Sequence, residues 1–169
     1  SDIDYKLAWA NWGKVVPVIP NPILIPQTYN PINCVNRKVI IFLGINTFNY
    51  SKKGYEYFEK TLEKLQKNHE DKVEIRLTKN LAFVEYLKHL DSCDILLDAV
   101  FQYDQGYNAL EAMARGKVVF TGAEMEFMEH YNLKHRVCIN TLPDSNQIYS
   151  ELENLILNPE KINEIGKKA

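Results

Sequence analysis

One acidic side chain stands alone in a run of small and apolar residues just inside a predicted helix. Glu111 is the only charged residue in positions 105–114. Gly106 opens this helix and leaves the backbone amides of Tyr107 and Asn108 unpaired, so that they can bind an anion. Glu111 lies one turn further along, where its carboxylate can accept hydrogen bonds from a diol attached to that anion. The pattern fits a phosphate and a ribose, although a solvated surface carboxylate is the open alternative.

A second candidate anion site is the predicted strand-to-helix loop GINTFNYSKKG, residues 44–54. Gly44 ends a strand, and Lys53 and Gly54 open the next helix. A lysine in this position can reach an anion held over the sheet edge, and a glycine allows the backbone to come close. A solvated lysine and a simple turn glycine form the alternative interpretation. Neither of the common glycine-rich phosphate or dinucleotide motifs occurs in the chain.

Short apolar runs that alternate with helical patterns would position these loops. The runs are rich in Val and Ile and apolar on both faces, as is typical of parallel strands buried between helices. We predict strands at 39–44, 73–77, 94–100, 117–122 and 136–140. Apolar residues spaced by three and four predict helices over 55–65, 83–90, 105–115 and 148–156, followed by a short helix at 160–168. Asn80 is the predicted N-cap of the second helix, and Gly116 is predicted to terminate the third.

This alternation predicts the fold class. We expect an α/β fold with a doubly wound, mostly parallel Rossmann-like sheet of about five to six strands and helices on both faces. Ligands of such sheets bind beyond the carboxyl ends of the strands, so the candidate site lies in the loops after the first four predicted strands.

The composition excludes several classes of function. The 169 residues are 46% hydrophobic and 25% charged, and a net charge of −2 gives no basic surface for nucleic acid. No apolar run approaches the ~18 residues of a membrane-spanning helix, and a signal peptide is not evident, so we expect a cytoplasmic location. The histidines and the three scattered cysteines lack metal-binding spacing, and buried, reduced thiols are expected.

The first 36 residues differ from the remainder of the chain. They contain five of the seven prolines and both tryptophans. Proline favours extended backbone, and the Val, Ile and Leu between the prolines require a surface to cover. We therefore predict that 1–36 is an extended interdomain segment packed on the domain, and that 37–169 is the ligand-binding domain.

The helix stretch also carries a family resemblance. GYNALEAMARGKVV, residues 106–119, resembles the Gly-x-x-x-Leu-Glu-Ala-Met-Ala-x-Gly-x-Pro-Val-Val signature of retaining GT-B glycosyltransferases of the bacterial polysaccharide and lipopolysaccharide group 1 type. VIPNP at 18–22 is similar to that family's crossover into its C-terminal domain, residues 44–54 to its glycine-to-Lys-Gly loop, and 152–169 to its closing helices. The resemblance implies a C-terminal domain that binds a nucleoside-diphosphate sugar.

The resemblance further implies a partner domain and a set of contacts. A glycan or lipid-linked acceptor would bind to an N-terminal domain, with peripheral association at the inner face of the membrane, and the donor half alone would transfer no hexose. No metal and no permanently bound cofactor are implied. Lys53 would neutralise the diphosphate, the helix start would bind it, Glu111 would hold the ribose, and residues 78–80 would lie beside the base. The implied donor-site residues are Gly44, Lys53, Gly54, Lys79, Gly106, Tyr107, Asn108 and Glu111.

The sequence departs from the family pattern at three places. Tyr103 occupies the position eight residues before Glu111 where the family usually has an acid, and Asp104 follows one residue late. Ile45 stands where an arginine normally follows the first-strand glycine, and Lys117-Val118 replaces the usual x-Pro. These departures affect contacts to the sugar more than contacts to the nucleotide.

Two other functions fit parts of the pattern. A catalytically degenerate nucleotide-binding or interaction module would keep the fold without the chemistry. A response-regulator receiver would use Asp98, which follows the third predicted strand, as a phosphorylation site. Receivers also need an acidic pair after the first strand and a lysine after the fifth, and neither Gly44-Ile45-Asn46 nor residues 140–142 supply them.

Overall fold

Five parallel strands form the centre of the computed structural model, which describes residues 3–13, 17–25, 34 and 36–169. The strands are β1 Val39–Ile45, β2 Val73–Lys79, β3 Ile95–Leu97, β4 Val118–Thr121 and β5 Ile139–Asn140. They pair in the order β2-β1-β3-β4-β5, and every pairing is parallel. The predicted α/β class and strand number are thus confirmed.

Three strands are shorter than predicted, and of these the run 117–122 loses one residue at each end to give Val118–Thr121. The run 94–100 is strand only at Ile95–Leu97, and the chain leaves the sheet beyond it, where the Val100 amide donates to the Lys53 carbonyl oxygen at 2.9 Å. The run 136–140 is strand only at Ile139–Asn140, on the edge of the sheet, where β4 is the single neighbouring strand.

The helices follow the predicted alternation, with three short additions. They are α1 Ile3–Ala8, α2 Tyr50–Lys53, α3 Tyr55–His69, α4 Phe83–Ser92, α5 Tyr107–Ala114, α6 Met125–His130, α7 Ser145–Leu157 and α8 Glu160–Gly166, with 3₁₀ turns at Ala10–Trp12 and Thr47–Asn49. The additions α1, α2 and α6 have six, four and six residues. Segments this short contain too few turns to produce a recognisable apolar stripe.

Helices cover both faces of the sheet because side chains alternate along each strand. Ile41 and Leu43 of β1 point to one face, where they pack in a cluster with Phe58 of α3 and residues of α7 and α8. Phe42 points to the other face, where it packs with Leu90 of α4 and residues of α5 and α6. The doubly wound arrangement is therefore confirmed.

One predicted helix end is confirmed and another is wrong. Gly116 has a φ of 71° directly after α5, a conformation that favours glycine and stops the helix. Asn80 does not cap α4, whose N-cap is Ala82. Asn80 instead has a φ of 52°, and its side-chain oxygen accepts a hydrogen bond from the Thr47 amide at 3.0 Å. Its role is to join the end of β2 to the loop after β1.

The described parts of residues 1–36 contact the sheet domain. Ile3 is buried, and its amide donates to the Asp104 carboxylate at 2.8 Å. Residues 17–25 have no regular secondary structure, and Val18 packs against the cluster that contains Phe42. Pro26 and Pro31 lie outside the described residues, and the domain boundary at residue 36 stays a prediction.

All three cysteines are free and buried, as predicted. Burial raises the pKa of each thiol, Cys34, Cys93 and Cys138, to about 12. A thiol is the weakly reactive form of cysteine, so these side chains act as small apolar core residues.

The contact between α8 and the turn after α5 gives a test of the fold. A Cβ atom added to Gly166 would lie 2.1 Å from the Gly116 carbonyl oxygen, so we expect Gly166→Ala to lower the free energy of unfolding by roughly 1–3 kcal/mol. Gly106→Ala is the matched control, because an added Cβ there meets no atom within 4 Å. Urea unfolding measures both, and equal stability of the two variants would contradict this packing.

Candidate functional site

The loop after β1 is anchored to the chain that leaves β3. Gly54 has a φ of 67°, is the N-cap of α3, and follows Lys53 at the end of α2. A Cβ atom added to Gly54 would lie 2.8 Å from Val100 Cβ, so a glycine is required both for the backbone angle and for the close approach. Gly54 caps the start of α3 as predicted, whereas Lys53 is the last residue of α2 and does not open the helix.

Lys53 forms an ion pair with Asp98 at the carboxyl ends of the strands. Its Nζ lies 2.5 Å from Asp98 Oδ1, and the two side chains are 19% and 3% exposed. The Thr121 hydroxyl lies 3.3 Å from the other carboxylate oxygen of Asp98. Burial is the largest single effect and lowers the pKa of Lys53, but the charge of Asp98, the charge of Tyr55 and the hydrogen bond to Asp98 together outweigh it, and the pKa is raised overall. Lys53 is therefore held in its charged form.

An open cleft of about 420 Å³ lies at this edge of the sheet. It contains three of the residues predicted for the site, Gly44, Lys53 and Asn108, which come from the ends of β1, α2 and the start of α5. Thr78 and Asn80, from the stretch predicted to lie beside a base, also line it. The other lining residues are Ile45, Asn46, Asn49, Tyr55, Leu81, Phe83 and Tyr86.

Glu111 lies one turn into α5 and is not among the residues that line the cleft. Its side chain is 27% exposed, and its carboxylate is 3.8 Å from the Arg115 guanidinium. The carboxylates of Asp98 and Glu111 both contribute, after burial, to a raised pKa of Tyr86. The charge of Glu111 therefore acts on Tyr86, which lines the cleft.

The remaining predicted residues lie around the cleft without lining it. Gly106 is the N-cap of α5 in extended conformation, and Tyr107 is 54% exposed. Lys79 at the end of β2 points to solvent, with its Nζ 3.8 Å from Glu59. Gly54 packs against Val100.

The two residues that replace the family's usual acid bind the N-terminal segment. Asp104 is buried and accepts the Ile3 amide, and the Tyr103 amide donates to Asp4 at 3.0 Å. The Asp104 carboxylate is accordingly engaged away from the cleft that contains Lys53.

Tyr86 is the main cleft residue that the sequence did not single out. It lies on α4 four residues before the buried Leu90, on the same side of the helix. The helical pattern of Phe83, Val84, Leu87 and Leu90 concealed it, because a tyrosine within an apolar stripe reads as a core residue. The signal that the sequence offered for Tyr86 was a phenol at a helix position that faces the sheet.

Two further kinds of feature are not found in the part of the chain that the structure describes. No group of three or more His, Cys, Asp or Glu residues is placed to hold a metal ion. No helix within the described ranges is both long and apolar enough to cross a bilayer.

The architecture and its carboxyl-edge cleft define a class of fold, that of GT-B glycosyltransferase C-terminal domains, as the resemblance predicted. A C-terminal domain of a group 1 glycosyl transferase, LpcC from Francisella tularensis, superposes with a TM-score of 0.53 at 17% identity, covering 77% of this chain and 80% of that one. TarM from S. aureus, a mutant form in complex with fondaparinux, alpha-GlcNAc-glycerol and UDP, gives 0.60 at 14% identity over 96% of this chain.

The fold is also shared with a different enzyme. The UDP-GlcNAc 2-epimerase from Neisseria meningitidis, bound to UDP-GlcNAc, gives a TM-score of 0.55 at 15% identity over 78% of this chain. The chain spans 37% of the TarM structure and 40% of the epimerase. No family model and no curated protein matches the sequence. Identities this low establish the fold, not the reaction.

The ion pair at the cleft can be tested by its effect on stability. We expect Lys53→Met to lower the free energy of unfolding by roughly 3–5 kcal/mol, because the buried Asp98 carboxylate loses its counter-ion. Adding Asp98→Asn should recover most of the loss. Because folding raises the pKa of Lys53, the ion pair stabilises the protein fully at pH values below 10.5, the pKa of the unfolded state. This stabilisation is lost only as the pH rises through the pKa of the folded state. Equal free energies of unfolding for the single and the double variant, measured by urea unfolding at pH 7, would contradict this account.

Proposed function

We propose that this chain is the donor-binding part of a glycosyltransferase that moves a sugar from a nucleoside-diphosphate sugar to a glycan or lipid-linked acceptor. The observation that carries the proposal is the cleft that brings Gly44, Lys53 and Asn108 together at the carboxyl edge of the sheet. These residues come from two separate sequence stretches, each of which was predicted to bind an anion. Glu111 does not line this cleft, so Lys53 and Glu111 do not meet in one pocket, and a module that keeps only the fold stays the alternative.

Lys53 is the proposed contact of the diphosphate. An ammonium group has three donors, and one of them is directed to Asp98 Oδ1. The other two remain for phosphate oxygens. The amides at the start of α5, at Tyr107 and Asn108, add the positive end of a helix dipole. Glu111, one turn into this helix, is the proposed acceptor for the ribose hydroxyls, and Thr78, Lys79 and Asn80 lie on the side proposed for the base.

The proposed chemistry is stabilisation of the leaving diphosphate. Transfer with retention of the anomeric configuration requires charge to develop on this group, and preorganised donors lower its energy. Lys53 and the α5 amides serve that purpose without a bound metal or permanent cofactor. The acceptor and the remaining groups of the active site are expected on another domain, so that this chain alone is expected to bind nucleotide and to transfer no sugar.

The epimerase similarity supplies a second candidate, since the same fold is found in an enzyme bound to UDP-GlcNAc. Both candidates require the nucleotide site described above. They differ in the product: an epimerase converts the sugar nucleotide without an acceptor, whereas a transferase does not. The GT-B signature of residues 106–119 favours the transferase.

The nucleotide site can be tested by calorimetric titration of the chain with UDP, GDP and ADP. We expect one diphosphate to bind, and Glu111→Gln to weaken it by about 1–2 kcal/mol, the scale of a hydrogen bond to a charged group. The double variant Lys53→Met/Asp98→Asn should weaken it similarly, and it avoids leaving Asp98 buried and unpaired. Glu126→Gln, at an exposed position on α6, is the matched control and should bind like the wild type.

Two results would contradict the proposal. The first is no binding of any of the three diphosphates at millimolar concentration. The second is equal binding by all variants, which would place the nucleotide elsewhere. Conversion of UDP-GlcNAc by the chain without an acceptor would instead select the epimerase.

A further inference from the structure

Tyr86 lines the cleft, and its ring lies against Gly44. Its ring packs against Phe42 at 5.2 Å between centroids, and a Cβ atom added to Gly44 would lie 2.8 Å from Tyr86 Cε2. The glycine predicted to let a ligand approach therefore makes room for this aromatic ring. The ring in turn carries a hydroxyl into the region where Gly44, Lys53 and Asn108 converge.

The Tyr86 hydroxyl has no hydrogen-bond partner among the described residues, although the ring is largely enclosed. Burial raises its pKa, followed by the charge of Asp98 and, among smaller contributions, that of Glu111. The phenol is therefore protonated and available as a donor at neutral pH. Tyr86 is half-buried and lines the open cleft, so its hydroxyl is accessible to a ligand that enters there.

We propose that Tyr86 is a ligand-binding residue whose hydroxyl donates a hydrogen bond to an oxygen of the bound nucleoside diphosphate, at the junction of ribose and phosphate. This assignment rests on the proposed nucleotide site. Tyr86 lines the same cleft as Lys53, and the charges of Asp98, which holds Lys53, and of Glu111 both act on its phenol. Lys53 is the proposed phosphate contact and Glu111 the proposed ribose contact, so a donor in this cleft is suited to an oxygen between these two groups.

The experiment is titration of the whole chain with UDP, GDP and ADP, comparing the wild type with Tyr86→Phe. We expect the dissociation constant of the diphosphate that binds to rise about 5- to 30-fold in the variant. The midpoint of urea unfolding should stay unchanged or increase, because the substitution removes only an unbonded hydroxyl. If Tyr86 had only a structural role, Tyr86→Phe would not weaken nucleotide binding while leaving the stability unchanged.

Tyr57→Phe is the matched control, since Tyr57 is a partly buried phenol on α3 that does not line this cleft. It should bind nucleotide like the wild type. Wild-type affinity in Tyr86→Phe, together with weakened binding in Glu111→Gln, would overturn the role of Tyr86 and leave the proposed function standing. Equal weakening by the two Tyr variants would also overturn it. No nucleotide binding by the wild type would overturn both proposals.

Discussion

The ion pair between Lys53 and Asp98 joins the loop after β1 to the loop after β3 at the point where both strands end. Asp98 is almost fully buried, so its charge must be compensated where it stands. Lys53 supplies the charge, its carbonyl oxygen accepts the Val100 amide, and Gly54 packs on Val100. The position of the lysine's remaining donors, and with it the shape of the cleft, depends on this buried carboxylate.

The fold could be predicted because the apolar patterns of its strands and of its helices are both strong. β1 and α3 have long apolar patterns, and each appears in the structure at nearly its predicted place. The strand order could not be predicted from these periodicities. It also does not identify a function, because the order 2-1-3-4-5 is shared with receiver domains. The local chemistry separates this chain from a receiver domain, since Asp98 is paired with Lys53.

The site was predictable only where residue type and loop position coincide. Gly44, Lys53 and Asn108 stand at the ends of elements, so parallel topology alone brings them to one edge. Tyr86 and Asn80 could not be assigned, because their roles depend on contacts across the sheet edge: the Tyr86 ring lies over Gly44, and Asn80 bonds Thr47. Asp104 likewise serves as acceptor for an amide 101 residues away, which no local pattern indicates.

That last contact has a consequence for how the chain folds. The bond from the Ile3 amide to Asp104 closes a loop of 101 residues, and Tyr103 is tied to Asp4 across nearly the same separation. Contacts this distant in sequence form late, because the entropy of closing the loop must be offset before they become favourable. During synthesis α1 can form these two bonds only after residues 103 and 104 have emerged. We expect the segment before α5 to take its final form after the central strands have paired.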